Sequence, residues 1–106
     1  MTLASTTARG DARTTLGFRV GGEHSSRVRV YMGDRPPPSD TDAPLVDVRL
    51  RPGQSTTLPF DRCYWWHRTY GESDIDWSPI QRVCPQPIRP GPWVHTPPLV
   101  WIDIVN

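Results

Sequence analysis

Proline and glycine interrupt nearly every window of this chain, thirteen and eight of them in 106 residues. A proline inside a helix removes a backbone donor and clashes with the preceding turn, and a glycine there forfeits conformational entropy. Long helices are not expected. What fits between the interruptions is short strands joined by turns.

The apolar pattern agrees. RVRVYM (27–32) alternates, with Val28, Val30 and Met32 on one face and Arg27, Arg29 and Tyr31 on the other. LVDVRL (45–50) alternates again, with Val46, Val48 and Leu50 inward and Asp47 and Arg49 outward. Period-2 patterning of this kind marks half-buried strands. LGFRV (16–20) ends at a Gly-Gly pair, and STTLPF (55–60) reads as a short edge strand that Pro59 limits. Between the two alternating strands, GDRPPPSDTDAP (33–44) is a loop, since three consecutive prolines cannot join a ladder. LVWIDIVN (99–106) reads as a last strand, with Val100, Ile102 and Ile104 on one face.

The two cysteines frame the most aromatic part of the chain. CYWWHRTY (63–70) and IDWSPIQRVC (75–84) flank the polar turn GESD. Folded as a hairpin about that turn, with Ser78-Pro79 marking a bulge or an edge, Cys63 and Cys84 fall nearly opposite each other, within a one-residue offset that a bulge can absorb. The pair is within reach of a disulfide; two reduced buried thiols are the alternative where no secretory signal is read. On the first arm, Cys63, Trp65, His67 and Thr69 share one face, and Tyr64, Trp66, Arg68 and Tyr70 share the other. The second row is expected to lie outside, where bare aromatic rings mark a contact surface or are covered by the chain's own arms.

The flanks differ from the strands. Residues 1–15 carry little apolar pattern and read as an N-terminal arm, in which Arg9-Gly10-Asp11 is a chance tripeptide. Residues 85–98 are proline-dense and read as an extended segment. The domain reading is therefore an arm (1–15), a sandwich core (16–84), a Pro-rich segment (85–98) and a final strand (99–106). That strand either completes the sandwich or pairs with a neighbour.

Chemistry is sparse. His24, His67 and His95 stand in no ordered nucleophile motif, so no catalytic residues are assigned and the chain is read as a non-enzyme. Cys63 and His67, four apart on a strand, are separated by about 13 Å and cannot share one zinc ion. The acidic residues Asp34, Asp40 and Asp42 lack a calcium-loop pattern. No metal or cofactor is expected. The net charge of +1 argues against nucleic acid and membrane partners, although Arg27, Arg29, Arg49 and Arg51 line up on one sheet face. All twelve basic residues are arginine, as a GC-rich genome encodes. Neither a leader's apolar core nor a membrane-spanning run is read, which places the chain in a cytoplasm or in a particle assembled there.

Seven short strands with Pro/Gly turns indicate an all-β, antiparallel β-sandwich. YWWHRTYGESDIDWSP (64–79) resembles the penultimate-to-last strand region of fibronectin type III and related immunoglobulin-like domains, with its aromatic strand, arginine, polar turn and Trp-Ser pair. The opening strand and the proline-dense tail depart from that family. A small sandwich with extended arms also resembles the decoration, cement and head–tail accessory proteins of tailed bacteriophages. That resemblance implies a virion component whose protein partners are capsid or other virion subunits, with self-association as a further option. Tyr64, Trp66, Arg68, Tyr70, Trp93 and Trp101 are the expected anchors. Two alternatives stand beside it. One is a carbohydrate- or cell-surface-binding module using Tyr64, Trp66 and Tyr70 with Arg68 and Asp76. The other is a small soluble regulator that binds one protein.

Overall fold

The computed structural model describes residues 14–37, 43–85 and 99–106. They form seven strands: β1 (Thr15–Gly21), β2 (Ser26–Tyr31), β3 (Val46–Leu50), β4 (Ser55–Pro59), β5 (Tyr64–Arg68), β6 (Gln81–Val83) and β7 (Leu99–Val105). No helix occurs among the described residues. The strands make a three-stranded sheet in the order β4-β1-β7 and a four-stranded sheet in the order β3-β2-β5-β6. The expected 85–98 segment lies outside the described residues apart from Pro85. So does the expected 1–15 arm apart from Thr14 and Thr15, which belong to the fold: Thr14 is buried and its carbonyl accepts from Phe60 N–H.

The two sheets are held face to face by one apolar cluster. Leu16, Phe18 and Val20 of β1, Leu58 of β4 and Ile104 of β7 meet Val28 and Val30 of β2, Leu50 of β3, and Tyr64 and Trp66 of β5. Phe18 and Trp66 touch edge to face across the interior, with ring centroids 5.4 Å apart. Each contributor stands at alternate positions of its strand, as a face-to-face pair of sheets requires. Val46 and Val48 are only partly buried, because β3 is an edge strand. Met32, expected inward with Val28 and Val30, lies past the end of β2 and is exposed. The alternation stops where the ladder stops.

All pairs in the four-stranded sheet are antiparallel, but β1 and β7 run parallel, Thr15 opposite Leu99 through Gly21 opposite Val105. A wholly antiparallel sandwich was the expectation. No short turn joins the first and last strands, so nothing local imposes the antiparallel sense on them. Two glycines serve this pair. Gly17 lies beneath the Trp101 ring, where a β-carbon would collide with it. Gly22, at φ 83°, turns the chain out of β1 against the backbone of Asn106.

The aromatic hairpin is shorter than the sequence pattern implies. Tyr64, Trp65 and Trp66 pair with Val83, Arg82 and Gln81, and Thr69 bridges Trp77 beyond a break. Two residues lie between Trp66 and Thr69, while three lie between Trp77 and Gln81. The extra residue falls at the Ser78–Ile80 stretch, which contains the Ser78-Pro79 pair expected to mark a bulge or an edge. The register carries Cys63 directly opposite Cys84, and the two form a disulfide with Cα atoms 4.1 Å apart.

Candidate functional site

The parity of β5 is fixed by its neighbour. Val30 pairs with Trp66 and Arg29 with His67, and residues opposite one another in an antiparallel pair share a face. Val30 is interior, so Trp66 is interior and His67 is on the outer side. Tyr64 and Trp66 are accordingly 2% and 8% exposed. The expected outward row is thus overturned for these two residues. They are core residues, and the Tyr64 hydroxyl donates to the Pro59 carbonyl at 2.6 Å.

The remaining expected anchors are dispersed. Arg68 stands at one end of the sandwich, with its guanidinium 4.3 Å from the centre of the exposed Tyr70 ring and hydrogen-bonded to Asn106. Trp101 lies half-buried on the outer face of the three-stranded sheet, under the Arg19 guanidinium at 4.4 Å. Trp93 lies outside the described residues, as do Arg9-Gly10-Asp11, Asp40, Asp42 and His95.

The residues that do come together are on the outer face of the four-stranded sheet. His67 stacks on Trp77 with centroids 4.2 Å apart, and meets Tyr31 edge-on at 5.6 Å. The Tyr31 hydroxyl is 3.4 Å from His67 Nε2. Arg29 places its guanidinium 4.6 Å over the Trp77 ring. One strand further out, Arg82 lies 5.3 Å over Trp65, whose indole N–H donates to the Gly33 carbonyl at 3.0 Å. The Met32–Pro37 loop and Ala43 continue this surface into an open groove of about 660 Å³ beside Tyr31.

Charge on this face is organised around two aspartates. Arg27 forks onto Asp47 at 2.7 and 2.9 Å, and Arg29 adds a third bond at 3.2 Å. Arg49 reaches Asp74 and, at 2.9 Å, Ser25 Oγ. Arg82 makes no ion pair among the described residues. Four arginines therefore face two aspartates, and the face keeps a positive excess. The Asp47 carboxyl is held below its ordinary range, chiefly by the hydrogen bond from Arg27. Burial, and then the Arg29 charge, push the His67 imidazole below its ordinary value, with Asp47 opposing them.

The sign of the His67 effect is testable. Its folded pKa lies below the unfolded value of 6.5, so the unfolded chain binds more protons across that interval. Stability is unaffected above pH 6.5 and falls as the pH drops from there through the folded pKa. Urea midpoints measured between pH 7.5 and 5 are expected to fall, and His67→Gln to flatten that slope. Asp47 acts in a separate window, losing its contribution only below about pH 3.8.

Among the described residues, no group of three or more His, Cys, Asp or Glu side chains is placed to hold a metal ion. Both cysteines are consumed by the disulfide. The face offers planar rings, guanidinium donors and one imidazole. The local sequence pointed to the wrong member of two aromatic rows, and Trp77 and Tyr31 join the face only through pairing between distant strands. Comparison with known protein families, with curated proteins and with solved structures finds no match to this chain.

Proposed function

We propose that the chain is a non-enzymatic interaction protein that docks a protein partner on the aromatic–arginine face of its four-stranded sheet. We further propose that it is a bacteriophage virion component, a capsid decoration or cement protein or a head–tail accessory. The observation that carries the interaction reading is the cluster Trp65, His67 and Trp77 with Arg29 and Arg82 on one outer sheet face, packed against the buried Tyr31. Trp, Tyr and Arg are the residue types that dominate binding energy at protein interfaces.

An immunoglobulin-like sandwich is supported by two features. The Tyr64 hydroxyl bonds back across the β4–β5 corner to the Pro59 carbonyl, the arrangement of a tyrosine corner. The orders β3-β2-β5-β6 and β4-β1 also match the C′-C-F-G and E-B neighbours of that fold. The place beside β1 that an opening strand fills in such domains is taken by β7. The virion setting rests on the small sandwich, the expected arms and the lysine-free composition. A disulfide persists once a particle leaves a reducing cytoplasm.

The test is quantitative mass spectrometry of density-purified particles from the source culture, followed by rebinding of recombinant chain to depleted particles. A fixed many-copy ratio to the major capsid protein is expected. The Arg29→Ala/Arg82→Ala variant should stay folded and lose rebinding at least tenfold. Recovery of the chain only in soluble lysate would discard the virion setting in favour of a soluble partner. Saturable glycan binding that disappears in Trp77→Ala would replace the protein partner with a carbohydrate.

A further inference from the structure

β7 is an edge strand: it pairs with β1 on one side, and among the described residues no strand pairs with its other side. Seven residues long, it matches β1 as the longest strand described. Edges of this length are ordinarily blunted by lysine, proline, a bulge or an inward charge. LVWIDIV contains neither lysine nor proline, and its register with β1 runs without a bulge from Leu99 to Val105. Its one charge, Asp103, points outward and is held by Arg19 at 2.7 Å. Leu99, Val100 and Val105 are 48%, 39% and 73% exposed.

The direction of the backbone groups along β7 follows from the end of the ladder. Asn106 N–H donates to the Gly21 carbonyl, and the Asn106 carbonyl accepts from Glu23 N–H, so both of its groups face β1. Backbone direction alternates along a strand. Val100, Ile102 and Ile104 therefore bond towards β1. Leu99, Trp101, Asp103 and Val105 present N–H and C=O to the open side. The opposite side of β1 confirms the alternation, because Val20 bonds both ways to residues 53 and 54 and away from β7.

We propose that this edge pairs with the same edge of a second copy of the chain, antiparallel, about a two-fold axis at Ile102. In that register Leu99 faces Val105, Trp101 faces Asp103, Val100 faces Ile104, and Ile102 faces itself. The four residues with outward backbone groups oppose one another, as the hydrogen-bonded positions of an antiparallel ladder must. On the order of eight inter-chain hydrogen bonds form. The side chains match as well: apolar meets apolar at every pair except Trp101–Asp103. There each Asp103 stays paired with its own Arg19, whose guanidinium lies over the Trp101 ring, so no unpaired charge meets the indole of the second copy. The product is a continuous six-stranded sheet, β4-β1-β7 joined to its symmetry mate, and a closed isologous dimer. This surface is separate from the aromatic–arginine face and leaves that face open in both copies.

Sedimentation equilibrium on the full chain tests the proposal, with two variants that address the register. Leu99→Lys/Val105→Lys sets like charges directly opposite each other twice in the dimer. Leu99→Lys/Val105→Glu sets opposite charges at the same two places. Neither position lies in the core cluster. The wild-type chain is expected to be a dimer. The Lys/Lys variant should dissociate at least about tenfold more readily, and the Lys/Glu variant should recover the wild-type mass. Circular dichroism checks that each variant keeps its fold. A monomeric wild-type chain, or a dimer equally strong in all three proteins, would overturn the proposal.

Discussion

Trp66→Ala is expected to destabilise the fold by about 3–5 kcal/mol, while Trp65→Ala, one residue away, costs about 1 kcal/mol or less. Trp66 fills the space between the sheets, edge-on to Phe18 and level with Val30 on the adjacent strand. Removing its indole leaves a cavity that two hydrogen-bonded sheets cannot collapse to fill. A domain of this size has about 5–15 kcal/mol in total, so this variant stands close to unfolding at ordinary temperature. Trp65 instead lies half-exposed on the outer face between Arg82 and the Gly33 carbonyl. Its loss removes one hydrogen bond and one arginine stack, and should be seen in partner binding rather than in stability. Chemical denaturation of the two variants side by side decides the point. Equal costs, or the reverse order, would mean that β5 turns its other face to the core.

Why the sequence misplaces this pair follows from β5 itself. The two faces of CYWWHRTY are nearly equal in character: a tryptophan and a cationic or ionisable residue stand on each. Period-2 patterning separates Trp65 from Trp66 but does not rank them. The ranking comes from β2, where Val28 and Val30 are unambiguous, and reaches β5 only through a pairing across more than thirty residues. Where patterning is unequal, as in β2 and β3, strand and inward face are both legible from the residues alone. The cysteine register is legible for a different reason, since two arms about one short turn are constrained by counting. The parallel β1–β7 pair is the opposite case. It joins the two ends of the described fold, and no turn chemistry encodes it.

The same logic explains why the candidate site could not be assembled from one stretch. Tyr31 comes from β2, His67 and Trp65 from β5, Trp77 from the bridge after the turn, and Arg82 from β6. Each is ordinary in its local context. The arginine-rich composition, which codon usage alone could produce, becomes informative only when guanidinium groups are seen over the Trp65, Trp77, Tyr70 and Trp101 rings. Of the four arginines, Arg19, Arg29 and Arg68 already donate to Asp103, Asp47 and Asn106, whereas Arg82 makes no ion pair among the described residues and, stacked, keeps its donors at the edge of the ring.

Replacing both cysteines, Cys63→Ser/Cys84→Ser, is expected to lower stability by about 3 kcal/mol, with a fall in melting temperature of roughly 12–24 °C. The bond spans 21 residues of sequence, and closing a loop of that length removes entropy chiefly from the unfolded chain. The native side of the balance matters too. β6 has only three residues and lies at the edge of its sheet, with Pro79 just ahead of it. Its partners on β5 hold it by a short ladder, and the disulfide closes the open end of that ladder at the next register position. Without the bond, β6 frays first, and it carries Arg82 away from Trp65. Two readouts should therefore separate. Calorimetry reports the loss of global stability. Hydrogen exchange at residues 81–83 reports local opening, which the double variant should increase well before the core strands exchange. Treating the wild-type chain with a reductant should reproduce both effects. A double variant that melts within about 3 °C of the oxidised chain would show that the ladder alone fixes β6, and that the arginine–tryptophan stack needs no covalent support.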